Sequence, residues 1–230
     1  RTKGGSSERE ERSAAEPRSR ERKAGPVSDV AAPVPVTLLL GNPRRGSRTA
    51  AVAARACDEL RAALAGEGVD TGEPCPVDLA LLGPLLPARM SAAVLPGGPI
   101  GQALAAVRRP GLLVVASPTF KGSYTGLLKL FLDMLPMGGL AGTVAVAAMT
   151  AGWPQHRYVP EMFLRPLLVE LGAAVPAASL SVLEAEFADL DAAVRPWAAT
   201  AATVLAAVLH RTAYGPARRY AQSASSRPSS

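Results

Sequence analysis

Residues 111–135 read GLLVVASPTFKGSYTGLLKLFLDML. The run at 112–116 is continuously apolar and short, as expected of a strand buried on both faces of a sheet. Two prolines, two glycines or a plain cap would suffice to join it to the helix that follows. Instead Pro118, Thr119, Phe120, Lys121, Gly122, Ser123 and Tyr124 intervene, in a chain with only 4 Phe and 4 Tyr. The spacing then predicts a helix over 123–135, closed by Pro136 and the glycine pair 138–139.

The same strand-to-helix alternation extends in both directions. Val34–Leu40 reads as a buried strand ending at Gly41, followed by a helix over 47–65. A weak strand is predicted at 76–79, a Pro/Gly-rich loop at 82–98 and a helix at 100–109 that stops at Pro110. Beyond the opening stretch come a strand at 143–149, a helix at 161–171, a strand at 175–182 and a long helix at 189–210. Five strand–helix units in series imply a parallel sheet covered on both faces. Ligands of such sheets sit beyond the carboxyl ends of the strands.

The ends of the chain differ from this middle. Residues 1–25 carry 8 basic and 5 acidic residues, and residues 211–230 carry 4 arginines and no acid. Residues 26–210 carry 13 basic and 14 acidic residues. The net charge of +6 therefore resides in the two ends, which argues for solvated tails and against a nucleic-acid interface. The organisation expected is an arm at 1–25, one domain at 26–213 and a tail at 214–230, both ends too poor in large apolar residues to order themselves. No run of 18 apolar residues suggests a membrane span. No apolar run follows the first basic residues, so no secretory signal is expected. Cys57 and Cys75 are too few for a disulfide framework, and both read as reduced thiols of a cytoplasmic protein.

Three loops lie at predicted strand ends. The first, GNPRRGSRT at 41–49, has the G-x-x-x-x-G spacing of a nucleotide-triphosphate loop, but Ser47, Arg48 and Thr49 stand where that motif needs lysine and then a hydroxyl. What remains is an anion site: hydroxyls from Ser47 and Thr49, cationic forks from Arg44 and Arg48, and free N–H groups at a helix start. The plainer reading is a capped helix with solvated arginines; the position after strand one and three arginines within five residues, Arg44, Arg45 and Arg48, favour phosphate, with no metal required. The second loop is Pro118–Tyr124 as numbered above, where Phe120 and Tyr124 either flank a flat ligand or serve as core aromatics, and Thr119 offers a polar contact. The third, MTAGWPQH at 149–156, places the small residues Thr150, Ala151 and Gly152 at the same sheet edge, beside Trp153 and His156.

GNPRRGSRT resembles the G-S-P-R-x-x-S-R-T/S phosphate loop of the NADPH-dependent FMN reductase family. FKGSYTGLLKLFLDMLP, 120–136, resembles the Y-K-A-S/A-Y-S/T-G-x-L-K-x-x-L-D-x-L-P segment of that family's alkanesulfonate-utilisation branch. TAGWPQHRYVPEMFLRPLLVELGA, 150–173, resembles its T-G-G-x-x-x-H segment and the helix ending in K/R-P-L/V-L. The resemblance implies a flavodoxin-like three-layer, doubly wound α/β fold with sheet order 2-1-3-4-5. It implies an FMN phosphate held at Arg44, Ser47, Arg48 and Thr49, with Asn42 in place of the usual serine. It implies a flavin ring against residues 118–124, where Phe120 replaces the usual tyrosine, and against Thr150–Ala151–Gly152, where Ala151 replaces a glycine. In that branch a tyrosine at the position of Tyr124 accompanies a π-bulge at a tetramer contact, linked to release of reduced flavin.

The activity implied is hydride transfer from NADPH to FMN, with the cofactor carrying the chemistry and no side chain assigned as acid or base. Reduced FMN would then serve a flavin-dependent monooxygenase, and the chain would be a homodimer or homotetramer. The same fold admits an FMN-bound quinone or azo reductase and a non-catalytic flavin electron carrier.

Overall fold

The computed structural model describes residues 32–87 and 98–214. The arm at 1–25, the tail beyond Tyr214 and most of the loop predicted at 82–98 lie outside the described residues.

Among these residues the strands are β1 Val34–Leu40, β2 Thr71–Asp78, β3 Gly111–Pro118, β4 Thr143–Ala151 and β5 Leu180–Leu183. They form one parallel sheet in the order β2-β1-β3-β4-β5, as the resemblance implied. The helices are α1 Arg48–Gly66, α2 Leu79–Leu82, α3 Pro99–Val107, α4 Gly126–Leu132, α5 Arg165–Glu170 and α6 Leu190–Tyr214.

The central strands are apolar without interruption, yet alternate side chains serve different cores. Leu112, Val114, Val144, Val146 and Ala148 point toward α1 and α6, which contribute Leu60, Leu64, Val194 and Leu205. Leu113, Val115, Ala145, Ala147 and Met149 point to the opposite face, against Leu104, Phe131, Leu132 and Leu168. This two-residue alternation is the pleat itself, and burial on both sides removes any polar face from the sequence. The stretch Glu184–Arg211 is long and apolar enough by length and composition to cross a membrane. Here Val194, Ala198, Ala201, Leu205 and Leu209 bury its apolar face against the sheet.

The sequence reading did not foresee α2, which takes Leu79 from the expected strand, nor the 3₁₀ turn Gly83–Leu85, and four expected elements differ in extent or winding. β2 begins at Thr71, well before 76, because Pro74 and Pro76 are tolerated on an edge strand whose outer side needs no N–H donors. β5 pairs only over Leu180–Leu183; upstream, Ala174 makes a single bridge to Val144 before Pro176, which has no donor to continue a ladder. The helix expected at 161–171 starts with a π-wound turn, Pro160–Leu164. Pro166 lacks the N–H that a regular α-turn would give to the Met162 carbonyl, so the wider winding sacrifices no donor there. α4 starts only at Gly126, because residues 120–123 are taken up by a tight turn and Thr125 caps the helix.

Both cysteines are free, Cys57 buried in α1 and Cys75 exposed on β2. Burial pushes the Cys57 thiol up to about 11, so it stays protonated and inert at neutral pH. A thiol reagent should therefore label the native chain once, at Cys75, with a second equivalent reacting only on unfolding. Two fast-reacting thiols in the native protein would contradict this burial.

Candidate functional site

The sheet order reverses direction between β1 and β3, and there a cavity of about 400 Å³ opens at the carboxyl ends of the strands. Its wall comes from the segments after β1, β3, β4 and β5. That is the switch-point position where open α/β sheets hold ligands, and the volume suits a cofactor-sized molecule.

The β1 loop and the start of α1 form one end of the cavity, with Asn42, Arg44, Arg45, Gly46, Ser47, Arg48 and Thr49. Ser47 is the N-cap of α1, and its hydroxyl accepts from the Ala50 N–H at 3.2 Å. Its own O–H stays available to donate. The first turn of α1 holds no acidic side chain of its own to offset the positive helix end. Asn42 is buried, and both ends of its amide are committed: Oδ1 accepts from the Arg44 N–H at 2.9 Å, and Nδ2 donates to Thr49 Oγ1 at 3.2 Å. The asparagine thus shapes the loop, where a serine would have offered a hydroxyl. Thr49 Oγ1 in turn shares a 2.8 Å hydrogen bond with Thr150 Oγ1, tying the β1 and β4 loops together beneath the cavity.

The other wall comes from the ends of β3 and β4 and the residues just beyond them. The Thr119 N–H donates to the Thr150 carbonyl at 2.7 Å, which fixes the β3 and β4 loops side by side. The buried Oγ1 of Thr119 has no protein partner. Thr143, Ser179 and Ser181, none of them in the cavity wall, have buried hydroxyls in the same state, so the atom does not by itself mark a ligand contact. Pro118, Phe120, Ala151 and Gly152 complete the wall.

Eleven of the residues singled out in the sequence line this one cavity: Asn42, Arg44, Ser47, Arg48, Thr49, Pro118, Thr119, Phe120, Thr150, Ala151 and Gly152. Lys121, Gly122, Ser123 and Tyr124 do not. Lys121 and Gly122 have φ of 53° and 77°, and Phe120 and Ser123 exchange backbone hydrogen bonds of 2.8 and 3.2 Å around them. Positive φ at both central residues is the geometry of a tight hairpin turn. The segment therefore turns away from the cavity after Phe120. Tyr124 is half-buried against the core, outside α4 and not in a π-turn. The π-turn among the described residues is the one at Pro160–Leu164. Trp153 and His156 also lie off the cavity lining.

The sequence reading missed Glu184 and Phe187; Arg45, counted with Arg44 and Arg48 as favouring phosphate but given no contact, and Gly46 of the loop's glycine spacing also line the cavity. Glu184 Oε1 accepts from Arg48 Nη2 at 2.7 Å, and the Arg48 guanidinium stacks 5.0 Å from the Phe187 ring centre. Both belong to the 3₁₀ stretch Glu184–Asp189 directly beyond β5. Glu186 pins that stretch: its carboxylate accepts from the Leu183 N–H and pairs with Arg157. Burial pushes the Glu186 carboxyl up, but Arg157 and the Leu183 N–H outweigh it and hold it below the usual range. The stability it adds is present above the ordinary glutamate pKa and lost as pH falls through the lowered value. The strand-end rule that located the other three loops points equally to Glu184, one residue past β5.

The family described as NADPH-dependent FMN reductase matches residues 34–187. The NADH-dependent FMN reductase SfnF of Pseudomonas fluorescens is 32% identical over 167 residues, which are 71% of this chain and 84% of that protein. An oxidoreductase from Corynebacterium diphtheriae superposes with a TM-score of 0.66 at 27% identity, over 75% of this chain and 96% of that one. The apo form of the NADH:FMN oxidoreductase EMOB superposes with a TM-score of 0.61 at 29% identity, over 74% and 89%.

Proposed function

This chain belongs to the NADPH-dependent FMN reductase family, and from that premise we propose how its cavity serves the activity. The protein is an NAD(P)H-dependent oxidoreductase that reduces FMN. Bound in the cavity, FMN would supply the redox chemistry. The observation that carries its placement is the meeting of two unlike ends in one cavity: an α1 N-terminus with no acidic side chain in its own first turn, and a wall that includes Pro118, Phe120, Ala151 and Gly152.

Ser47, Thr49, Arg48 and Arg44 hold the phosphate with the free N–H groups of the first turn of α1. Asn42 sets the loop that presents them. Pro118, Thr119, Phe120 and Thr150–Ala151–Gly152 flank the ring. Lys121, Gly122 and Ser123 support Phe120 from behind, and Tyr124 anchors the turn to the core. The nicotinamide substrate enters over the open side of the ring, next to the half-exposed Phe120.

We assign residues 26–213 to the reductase domain and its work to the cytoplasm, where two unpaired cysteines stay reduced. Reduced FMN passes to a flavin-dependent monooxygenase. Tyr158, Met162, Phe163 and Val169 stand exposed along one segment and supply the contact of a homodimer or homotetramer.

The test is turnover of the purified full chain with NADPH or NADH and free FMN, against quinone as acceptor. Oxidation of the nicotinamide that depends on added FMN supports the reading. Oxidation that proceeds with quinone and never with free FMN overturns it.

A further inference from the structure

Glu184 is an acidic side chain in the wall of a cavity otherwise built to receive an anion. Its carboxylate sits 2.7 Å from Arg48 Nη2, and an atom added at the Gly152 Cβ position would lie 3.9 Å from Glu184 Cδ. The carboxylate therefore stands between the phosphate-loop arginine and the β4 loop. Stability does not account for it. The Arg48 and Glu184 side chains are 67% and 50% exposed, and ion pairs so open to water contribute little. Phe187 already orients the guanidinium by stacking on it.

A phosphate monoester carries about −1.5 to −2 charge at neutral pH. To reach Arg48 it must displace the Glu184 carboxylate or share the guanidinium with it, and it then lies close to a like charge. We propose that Glu184 weakens FMN binding by competing with the flavin phosphate for Arg48, so that FMN exchanges as a substrate and is not retained as a fixed group. The inference rests on the placement of the FMN phosphate at the N-terminus of α1.

The experiment measures binding and dissociation of FMN and of riboflavin, which lacks the phosphate, with the full chain. Glu184→Gln keeps the shape and an acceptor for Arg48 but removes the charge. FMN should bind about tenfold tighter, equivalent to about 1.4 kcal/mol, and leave correspondingly more slowly. Riboflavin binding should stay unchanged. The gain for FMN should shrink at high salt, because the competition is between partly exposed charges. Glu184→Ala, which cannot orient Arg48 at all, should show the same direction. Melting temperatures near that of the natural chain would confirm that both variants fold.

Unchanged or weaker FMN binding in both variants would overturn the proposal and make Glu184 a positioning residue for Arg48. Equal tightening of both flavins would overturn it too, since the phosphate would then not be involved. If the natural chain itself fails to prefer FMN over riboflavin, the phosphate placement falls, and the proposal falls with it.

Discussion

Arg48→Ala is expected to weaken FMN binding by roughly ten- to hundredfold while riboflavin binding barely changes. The phosphate is the only difference between the two flavins, so the difference between them isolates the charged hydrogen bond. Such a bond is worth about 1.5–3 kcal/mol, which sets the range. The loss should fall in its upper part, because removal of the guanidinium leaves the Glu184 carboxylate unpaired at the phosphate end. The double variant Arg48→Ala, Glu184→Gln should recover part of it. Folding should be little affected. The ion pair and the stacking on Phe187 are both made at the surface, and each contributes about 1 kcal/mol or less there. An equal loss for both flavins, or a collapse of the melting temperature, would remove Arg48 from the phosphate site.

The parts of this protein legible in the sequence are those where one physical requirement acts alone. β3 and β4 are buried on both faces, so their apolar runs need no context. Ser47 follows a strand and precedes a helical period, and a hydroxyl there caps the helix in isolation as in the fold. Legibility failed where two requirements compete. Pro74 and Pro76 argue against a strand until the edge position of β2 is known. Tyr124 carries an aromatic ring in a segment that also contains cavity-lining residues. Only the positive φ of Lys121 and Gly122 reveals that the chain has turned toward the core before reaching it. Glu184 shows a different failure. An acidic residue beside an arginine-rich loop contradicts the charge pattern one looks for in an anion site, and its partner Arg48 lies 136 positions away. Asn42 is intermediate: its position was readable, but its commitment to Arg44 and Thr49 depends on a loop conformation that spacing does not specify.

The turn after Phe120 also explains why Thr125→Val should be among the most damaging single changes near the site. Thr125 Oγ1 donates to the Gly41 carbonyl at 2.5 Å and accepts from the Leu128 N–H at 3.1 Å. The first bond ties α4 to the residue that opens the phosphate loop; the second caps α4. Ser117 Oγ holds the threonine's own N–H at 3.0 Å, so the side chain is set by the end of β3. Valine matches the shape and leaves no cavity, so the effect reads the hydroxyl alone. Loss of the cap costs about 1 kcal/mol, and a buried carbonyl deprived of this partner about 1–3 more. The expected total is about 2–4 kcal/mol, or roughly 5–15 °C in melting temperature for a domain of this size. Thr125→Ser keeps both bonds and should stay within about 1 kcal/mol of the natural chain. Thermal unfolding of the two variants side by side checks this. FMN affinity should fall with Thr125→Val, because the Gly41 carbonyl loses its partner while its N–H stays bonded to the Ala116 carbonyl at 2.7 Å. An atom at the Gly41 Cβ position would meet Leu128 Cβ at 2.9 Å, so the loop sits directly on α4 and any shift of that helix moves it. A valine variant as stable as the serine variant would mean that the hydroxyl bonds are replaced by water, and that packing of Gly41 on Leu128 alone positions the phosphate loop.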